Sequence, residues 1–290
     1  MSLSAPIGVF DSGIGGLSVL RALMAALPHE RFVYAADSAH APYGEMGDEH
    51  VLLRSRTVLS SVRKTHGIKA YVVACNTATA AAGQVLRLEH ADLPIIGIEP
   101  ALKPGALATQ TGRVGVLATR GTLSSGKFRT LRDRLSGPVE FVVRACDGLA
   151  AAIEMEALTS RPSRANALID EHLAALGALG TEKGQIDTVV LGCTHYPLLA
   201  ERIQQRTGPH IRLIDPGEAV ARHTRDRLAA ASLLSTDTDP QPSGSRPEPQ
   251  RCRLHLLDSG NARALSAAVS RWLVTDADPP QTTPFALNSP

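Results

Sequence analysis

The sequence predicts an α/β fold made of two pseudo-symmetric domains, each with a mostly parallel sheet flanked by helices, and an active site in the cleft between them. Three observations support this fold class. Short apolar runs alternate with stretches of helical periodicity, which is typical of parallel sheets covered by helices. The runs form two sets with matching local sequences, and a cysteine closes one run of each set at an equivalent position.

Eight short apolar runs are predicted to be strands. They cover residues 7–10, 32–35, 70–74, 95–98, 114–117, 139–143, 188–191 and 211–214. Between them, the apolar residues of 17–27, 50–66 and 79–90 recur with about the helical period, which predicts helices. Because strands and helices alternate, each strand is expected to lie parallel to its neighbours.

The eight strands divide into two sets that repeat in the same order. The corresponding positions are Gly8-Val9-Phe10 and Gly115-Val116-Leu117, Phe32-Val33 and Phe141-Val142, Cys75 and Cys193, and Glu99-Pro100 and Asp215-Pro216. Matches in register predict an internal duplication. We therefore expect a first α/β domain of residues 1–98 plus 209–275 and a second of residues 99–208, with one cysteine on each wall of the cleft between them.

The C-terminal part departs from the repeat. Residues 235–251 are rich in proline, serine, aspartate and threonine without periodicity, which predicts a flexible insert. Residues 254–257 are predicted to form an added strand and residues 262–274 a final helix that returns to the first domain. Residues 279–290 are expected to be a loose tail.

Bulk composition narrows the function classes. The chain has 290 residues, a net charge of +2 and 3% aromatic residues, so neither a basic face nor stacking residues favour nucleic-acid binding. Its four cysteines form no close pair, which argues against a disulfide framework or a zinc site. The sequence contains no apolar stretch of about 20 residues and no leader pattern, so we expect a cytoplasmic protein without a membrane segment.

The two matched cysteines carry the strongest chemical signal. Cys75 and Cys193 each close an apolar run at a predicted strand-to-helix junction, where α/β enzymes place their chemistry. A thiolate can accept a proton and a thiol can donate one. Two such groups on opposite faces of one substrate indicate a racemase or epimerase. Cys146 and Cys252 are interpreted as small buried hydrophobic residues.

A glycine-rich turn offers a different interpretation. Gly13-Ile14-Gly15-Gly16 follows a strand and opens a helix, and Asp37 ends the next strand, as in a dinucleotide site. This pattern favours a nicotinamide-dependent oxidoreductase, but Ser18 stands where the third glycine is expected, and the duplicated cysteines have no role in such an enzyme. The two-lobed fold is also compatible with a non-catalytic amino-acid-binding protein or a related diacid isomerase.

Five sequence blocks match a known family in its order. They are Val9-Phe10-Asp11-Ser12-Gly13-Ile14-Gly15-Gly16-Leu17, Asp37 with Pro42-Tyr43-Gly44, Ala74-Cys75-Asn76-Thr77-Ala78, Ala118-Thr119 with Gly121-Thr122 and Ser125, and Leu191-Gly192-Cys193-Thr194-His195-Tyr196-Pro197. The chain thus resembles the cofactor-independent glutamate racemases of the aspartate/glutamate racemase superfamily. The resemblance implies interconversion of L- and D-glutamate without a cofactor or metal, supply of D-glutamate for peptidoglycan, and a homodimer.

The resemblance also implies roles for individual residues. Cys75 and Cys193 would exchange the Cα proton with D- and L-glutamate respectively, with Asp11 supporting Cys75 and His195 supporting Cys193. Glu154 is the candidate for a further catalytic glutamate that the family has after the second strand of the second domain. Substrate binding is expected from the side chains at the strand ends: Asp11, Ser12, Tyr43, Gly44, Asn76, Thr77, Thr119, Thr194 and His195. Both cysteines are expected to precede helix N-termini, which stabilise negative charge. The threonines are also natural helix caps, and Asp11 and His195 could be structural, so both interpretations stay open.

Overall fold

The structure is a computed structural model that describes residues 2–159, 164–235, 254–273 and 282–284. Strands and helices alternate along these ranges. The strands are β1 (Ile7–Asp11), β2 (Phe32–Ala36), β3 (Ala70–Val73), β4 (Ile95–Gly97), β5 (Arg113–Ala118), β6 (Glu140–Ala145), β7 (Thr188–Gly192), β8 (Arg212–Ile214), β9 (Leu254–Asp258) and β10 (Thr282–Pro284). The α-helices are α1 (Leu17–Ala26), α2 (Asp48–His66), α3 (Asn76–Glu89), α4 (Leu102–Ala108), α5 (Arg120–Ser124), α6 (Gly126–Leu135), α7 (Leu149–Thr159), α8 (Ala165–Ala174), α9 (Ala200–Thr207), α10 (Gly217–Ala230) and α11 (Ala262–Trp272).

The strands form two parallel sheets that repeat one topology. The first has the order β10-β9-β2-β1-β3-β4 and the second the order β6-β5-β7-β8. The order β2-β1-β3-β4 therefore recurs as β6-β5-β7-β8, as expected from a duplication. Every residue of β1, β2, β3 and β7 is buried, which explains their continuous apolar sequences. The predicted α/β class with parallel sheets is confirmed, whereas the exact domain boundaries stay a prediction.

The C-terminal segments extend the first sheet. β9 pairs with β2 and β10 pairs with β9, both in parallel, so the predicted added strand is present. The prediction of a loose tail is wrong for Thr282–Pro284, because these residues pair with Leu256–Asp258 and the hydroxyls of Ser266 and Thr282 are 2.7 Å apart. Apart from Ser235, the predicted insert of residues 235–251 lies outside the described residues.

One hydrophobic core continues from the first sheet to the second. Its largest cluster contains Val9 and Val72 of the first sheet together with Leu117 and Val189 of the second. Helix packing also joins the two sheets. Helix α10, which follows β8 of the second sheet, packs against α1, and α7, which follows β6 of the second sheet, packs against α11. The cleft between the carboxyl ends of the two sheets therefore has well-packed walls. Among the described helices, none has the length and apolar character needed to cross a membrane.

Candidate active site

Cys75 and Cys193 occupy equivalent positions in the two sheets. Cys75 directly follows β3 after Ala74, and Cys193 directly follows β7, which is the counterpart of β3. Both are free thiols, and they are only 6% and 5% exposed. The two thiols lie close enough for the charge of Cys193 to raise the pKa of Cys75. The structure thus brings the two predicted thiols to a common site.

Cys75 caps a helix, as predicted. Its Sγ accepts a hydrogen bond from the backbone N–H of Ala78 at 3.5 Å in the first turn of α3, and the Oγ of Ser12 lies 3.8 Å away. Burial and, after it, the charge of Asp11 raise the pKa of the Cys75 thiol to about 12, although the hydrogen bond from the Ala78 N–H lowers it. In the absence of a ligand this residue is therefore a thiol at neutral pH.

The local structure around Cys193 differs from the prediction. No α-helix begins there; a 3-10 helix, Tyr196–Leu199, follows instead. Pro197 lies in the first turn of this 3-10 helix, where its missing N–H removes no intrahelical hydrogen bond. Cys193 contacts the Nδ1 of His195 at 3.7 Å. An imidazole therefore takes the place beside this thiol where the sequence predicted an α-helix N-terminus.

His195 connects Cys193 to Glu154. The Nε2 of His195 lies 2.6 Å from the Oε1 of Glu154, and the same oxygen accepts the backbone N–H of Ile14 at 2.8 Å. Burial lowers the pKa of His195, but the hydrogen bonds to Cys193 and Glu154 outweigh burial and raise the pKa well above its usual value. Glu154, the candidate glutamate of the sequence analysis, is thus bonded directly to His195.

Asp11 links the two halves of the site. Its Oδ1 accepts the backbone N–H of Gly13 at 2.8 Å, and its Oδ2 accepts the hydroxyl of Thr194 at 3.0 Å. Burial raises the pKa of Asp11, while the charge of His195 lowers it. Its hydrogen bonds go to Gly13 and Thr194, so it acts on Cys75 through charge.

The glycine-rich turn serves close packing. A Cβ at Gly13 would overlap the carboxylate of Glu154, and a Cβ at Gly15 would overlap the imidazole of His195. Glycine lets the turn after β1 approach these two side chains. The turn therefore belongs to the site of the two thiols, and the dinucleotide interpretation has no support from the geometry.

Asp37 has a structural role in place of the ribose contact considered from the sequence. Its carboxylate accepts Arg54 through two bonds of 2.9 Å, the hydroxyl of Tyr43 at 2.6 Å and the hydroxyl of Ser259 at 2.7 Å. Burial raises the pKa of this carboxyl, but the hydrogen bonds from Arg54, Tyr43 and Ser259 outweigh burial and lower it. The phenol of Tyr43 is thus committed to Asp37, which anchors the loop that carries Gly44.

A second set of predicted residues spans the cleft. The hydroxyls of Thr77 and Thr119 lie 3.0 Å apart, and a Cβ at Gly44 would lie 2.9 Å from the side chain of Thr119. Thr119 also caps α5 by accepting the N–H of Thr122, so its capping role is real. Asn76 is 3% exposed, and both polar atoms of its carboxamide lack a hydrogen-bond partner among the described residues. A buried amide without partners is expected to bind a polar ligand.

Two site residues escaped the sequence analysis. Ser18 donates a hydrogen bond to the carbonyl of Gly15 at 2.9 Å and also lies 3.0 Å from the carbonyl of Thr194, so it joins the loop after β1 to the loop after β7. Tyr34 donates to the carbonyl of Gly13 at 2.7 Å. Both are single polar residues within apolar stretches, a signal that does not identify a partner. The described residues contain no group of three or more histidine, cysteine, aspartate or glutamate side chains suited to a metal ion.

Comparison with known proteins agrees with this geometry. Residues 7–224 match the Asp/Glu/hydantoin racemase family. The chain is 49% identical over 249 residues to the glutamate racemase of Stutzerimonas stutzeri strain A1501, covering 86% of this chain and 91% of that one. It is 48% identical over 230 residues to the glutamate racemase of Methylococcus capsulatus strain Bath, covering 79% and 82%.

Solved structures of similar fold cover the whole chain. A glutamate racemase isoform from Bacillus anthracis superposes with a TM-score of 0.79 at 28% identity, covering 99% of both chains. The glutamate racemase of Escherichia coli, solved with L-glutamate and the activator UDP-MurNAc-Ala, superposes with a TM-score of 0.76 at 30% identity, covering 97% of both chains. None of these four proteins is an oxidoreductase.

Proposed function

Because the chain belongs to the Asp/Glu/hydantoin racemase family and matches glutamate racemases over most of its length, it is an isomerase that racemises glutamate, and we propose that Cys75 and Cys193 carry out the reaction. The observation that supports this pair most strongly is its placement. Two buried thiols follow equivalent strands of two repeated sheets and interact electrostatically. Each therefore approaches a shared substrate from its own wall.

The proposed reaction is two proton transfers. In one direction the Cys75 thiolate removes the Cα proton of D-glutamate and becomes a thiol, and the Cα carbanion takes a proton from the Cys193 thiol on the opposite face. Cys193 is then the thiolate, and L-glutamate leaves. In the other direction Cys193 is the base and Cys75 the acid.

The surroundings of the thiols favour opposite protonation states. Since a charge on Cys193 raises the pKa of Cys75, a thiolate at Cys193 favours the protonated form of Cys75. The ammonium group of bound glutamate would lower the high pKa of the Cys75 thiol, because an opposite charge favours the thiolate. On the other wall, His195 and Glu154 would hold and return the proton of Cys193.

Substrate binding is proposed for the polar groups around the thiols. The carboxamide of Asn76, which has no hydrogen-bond partner among the described residues, and the hydroxyls of Thr77, Thr119 and Thr194 would bind carboxylates, with Ser12 beside Cys75. Oriented donors of this kind stabilise negative charge that develops on the α-carboxylate when the proton leaves. Asp11 is suited to the ammonium group. Tyr43 would act by holding Gly44 in place.

We further propose that the protein works in the cytoplasm as a homodimer and that its D-glutamate supplies peptidoglycan synthesis. These assignments follow from its membership of the family. Sedimentation velocity of the purified protein tests the dimer, and a single monomeric species would contradict it.

Circular dichroism of L- and D-glutamate in D2O tests the activity and the cysteine pair together. The wild type should racemise both enantiomers and introduce deuterium at Cα, whereas Cys75→Ser and Cys193→Ser should each reduce racemisation by several orders of magnitude. Cys146→Ser is the matched control, because it changes a third buried cysteine.

Retained racemisation in both variants would refute the pair, and glutamate binding without Cα exchange would indicate a binding protein. Racemisation of aspartate in place of glutamate would indicate a different diacid substrate, and hydride transfer with NAD(H) would indicate an oxidoreductase.

A further inference from the structure

Glu156 is a buried carboxylate close to the site that the proposed reaction does not use. It lies on α7 two residues after Glu154, and its side chain is 4% exposed. Its Oε2 accepts the Nη1 of Arg202 at 3.0 Å, while its Oε1 accepts the Nη2 of Arg202 and, at 2.8 Å, the Nη2 of Arg271. Hydrogen bonds from Arg202, followed by those from Arg271, hold the pKa of Glu156 below its usual value despite burial. The group is therefore a carboxylate at neutral pH.

Glu156 and Glu154 both bond to the segment that follows β7. Arg202 lies in α9, which continues directly from the 3-10 helix after His195, so Arg202 and His195 belong to one segment. Glu154 and Glu156 thus both connect α7 to this segment. Arg271 lies in α11, which packs on the first sheet, just as Ile14 belongs to the turn after β1. Both carboxylates therefore connect α7 to the segment after β7 and to an element of the first half, which is the turn after β1 for Glu154 and α11 for Glu156.

The position of α7 determines whether Glu154 can function. The Oε1 of Glu154 binds Ile14 at 2.8 Å and His195 at 2.6 Å, and the space is so limited that a Cβ at Gly13 would overlap it. A small shift of α7 would therefore break one of these two bonds. Arg271 is itself held by its side chain stacking on Trp272, 4.7 Å from the ring centroid.

We propose that Glu156 is a positioning residue for racemisation: by joining α7 to α9 through Arg202 and to α11 through Arg271, it places Glu154 against His195 and so supports proton transfer at Cys193. This role rests on the proposed function of the Cys75 and Cys193 pair. It acts on one thiol only, because the His195 and Glu154 pair contacts Cys193, whereas Cys75 is supported by Ser12 and Ala78.

The test uses glutamate deuterated at Cα. The deuterium isotope effect on kcat/KM for each enantiomer reports how far removal of its own Cα proton limits the rate. Glu156→Gln keeps the shape of the side chain but removes the charge. We expect kcat/KM to fall about tenfold to a hundredfold, as for a catalytic group displaced by a fraction of an ångström to an ångström. The isotope effect should rise for the enantiomer that Cys193 deprotonates and fall for the other, in the same sense as in Glu154→Gln.

The control is Glu140→Gln, which removes an equally bidentate partner of an arginine, Arg113, at the edge of the second sheet. It should leave both isotope effects unchanged. If Glu156→Gln does not fold, Arg202→Lys keeps the positive charge, loses the two-pronged bond, and should shift the isotope effects in the same sense. Lower thermal stability with wild-type isotope effects would overturn the proposal. A wild type that does not racemise glutamate would instead overturn the proposed function.

Discussion

The thiols of Cys75 and Cys193 occupy equivalent strand ends but have unlike neighbours. Cys75 lies against a hydroxyl and a backbone N–H at the start of α3, whereas Cys193 lies against an imidazole that is bonded to a carboxylate. The duplication therefore conserved the position of the sulfur atoms and not the groups that handle their protons. This difference gives each residue around the site a distinct expected effect.

Removing the carboxylate of Glu154 should lower the pKa of His195. In Glu154→Gln one of the two hydrogen bonds that raise this pKa is weakened, so NMR titration of the His195 ring should show a lower pKa than in the wild type. Since the folded pKa is raised, the stabilisation by the pair is fully present below the usual pKa of about 6.5 and is lost as pH rises through the raised value. The difference in unfolding free energy between wild type and variant should therefore be largest below pH ~6.5. An unchanged His195 titration would contradict the assigned pair.

Gly13→Ala should disable catalysis without unfolding the protein. The new Cβ would overlap the Glu154 carboxylate and displace it from His195. A displacement of about 1 Å costs roughly a hundredfold in rate, so kcat/KM should fall by about that factor. Gly126→Ala is the control, because a Cβ there meets nothing within 4 Å. Equal activity of the two variants would show that the turn is not packed as described.

At the scale of elements, short loops and one helix place the groups of the site. The segment Ser38–Glu45 is fixed to the first sheet through Asp37, whose carboxylate binds Arg54 of α2, Tyr43 of the loop itself and Ser259 after β9. The same loop crosses to the second sheet, where the Oε1 of Glu45 accepts the N–H of Gly148 at 3.2 Å. The wall of the cleft therefore depends on a buried charge network outside it.

Asp37→Asn should weaken both stability and substrate binding. The change leaves Arg54, which is 8% exposed, without its buried counter-charge, and breaking such a pair costs about 3–5 kcal/mol. KM for glutamate should rise because Tyr43 loses its anchor. Since the pKa of Asp37 is lowered in the folded state, its stabilisation is present above pH 3.8 and is lost as pH falls toward the lowered value. The difference in unfolding free energy between wild type and variant should therefore become smaller at acidic pH.

Urea unfolding at several pH values measures this difference in unfolding free energy between wild type and Asp37→Asn. Asp133→Asn is the control, because Asp133 is 63% exposed and forms its ion pair with its sequence neighbour Arg132. Surface changes of this kind usually stay within about 0.5 kcal/mol. A difference between Asp37→Asn and wild type that persists unchanged below pH ~3 would contradict the linkage.

Local sequence patterns predicted most of the elements but not their partners. The strands that carry Cys75 and Cys193 are continuous apolar runs, and such runs identify buried parallel strands directly. The pairing of β10 with β9 was missed because three residues are too short for any periodicity. The 3-10 helix after Cys193 was missed because four residues are too few for a sequence pattern to distinguish a 3-10 turn from the start of an α-helix. The two hydrogen bonds of Glu154, to Ile14 and to His195, were not predictable either. These residues are distant in the sequence, and only tertiary packing brings them together.

At the scale of the molecule, the two sheets share one core. The cluster that contains Val9 and Val72 also contains Leu117 and Val189, and α7 lies within it through Ile153. The two halves are joined by packing as well as by the hydrogen bonds of the site. We therefore expect the described part of the molecule to unfold as a unit.

Calorimetry should show one transition that a single core substitution shifts as a whole. Ile153 is 1% exposed, and Ile153→Ala should cost about 2–5 kcal/mol through the cavity it leaves. Leu158→Ala on the same helix is the control, because Leu158 is 45% exposed. Two separate transitions, only one of them shifted by Ile153→Ala, would show that the sheets unfold independently.

The unequal surroundings of the two thiols cannot change the equilibrium between the two enantiomers. Mirror-image substrates have equal free energy in water, so the equilibrium constant is one and kcat/KM must be the same for L- and D-glutamate in every variant. The imidazole and carboxylate beside Cys193 therefore cannot make the enzyme favour one product. They can only divide the same kcat/KM differently between KM and kcat, so that the enantiomer with the lower KM is also the one with the lower kcat.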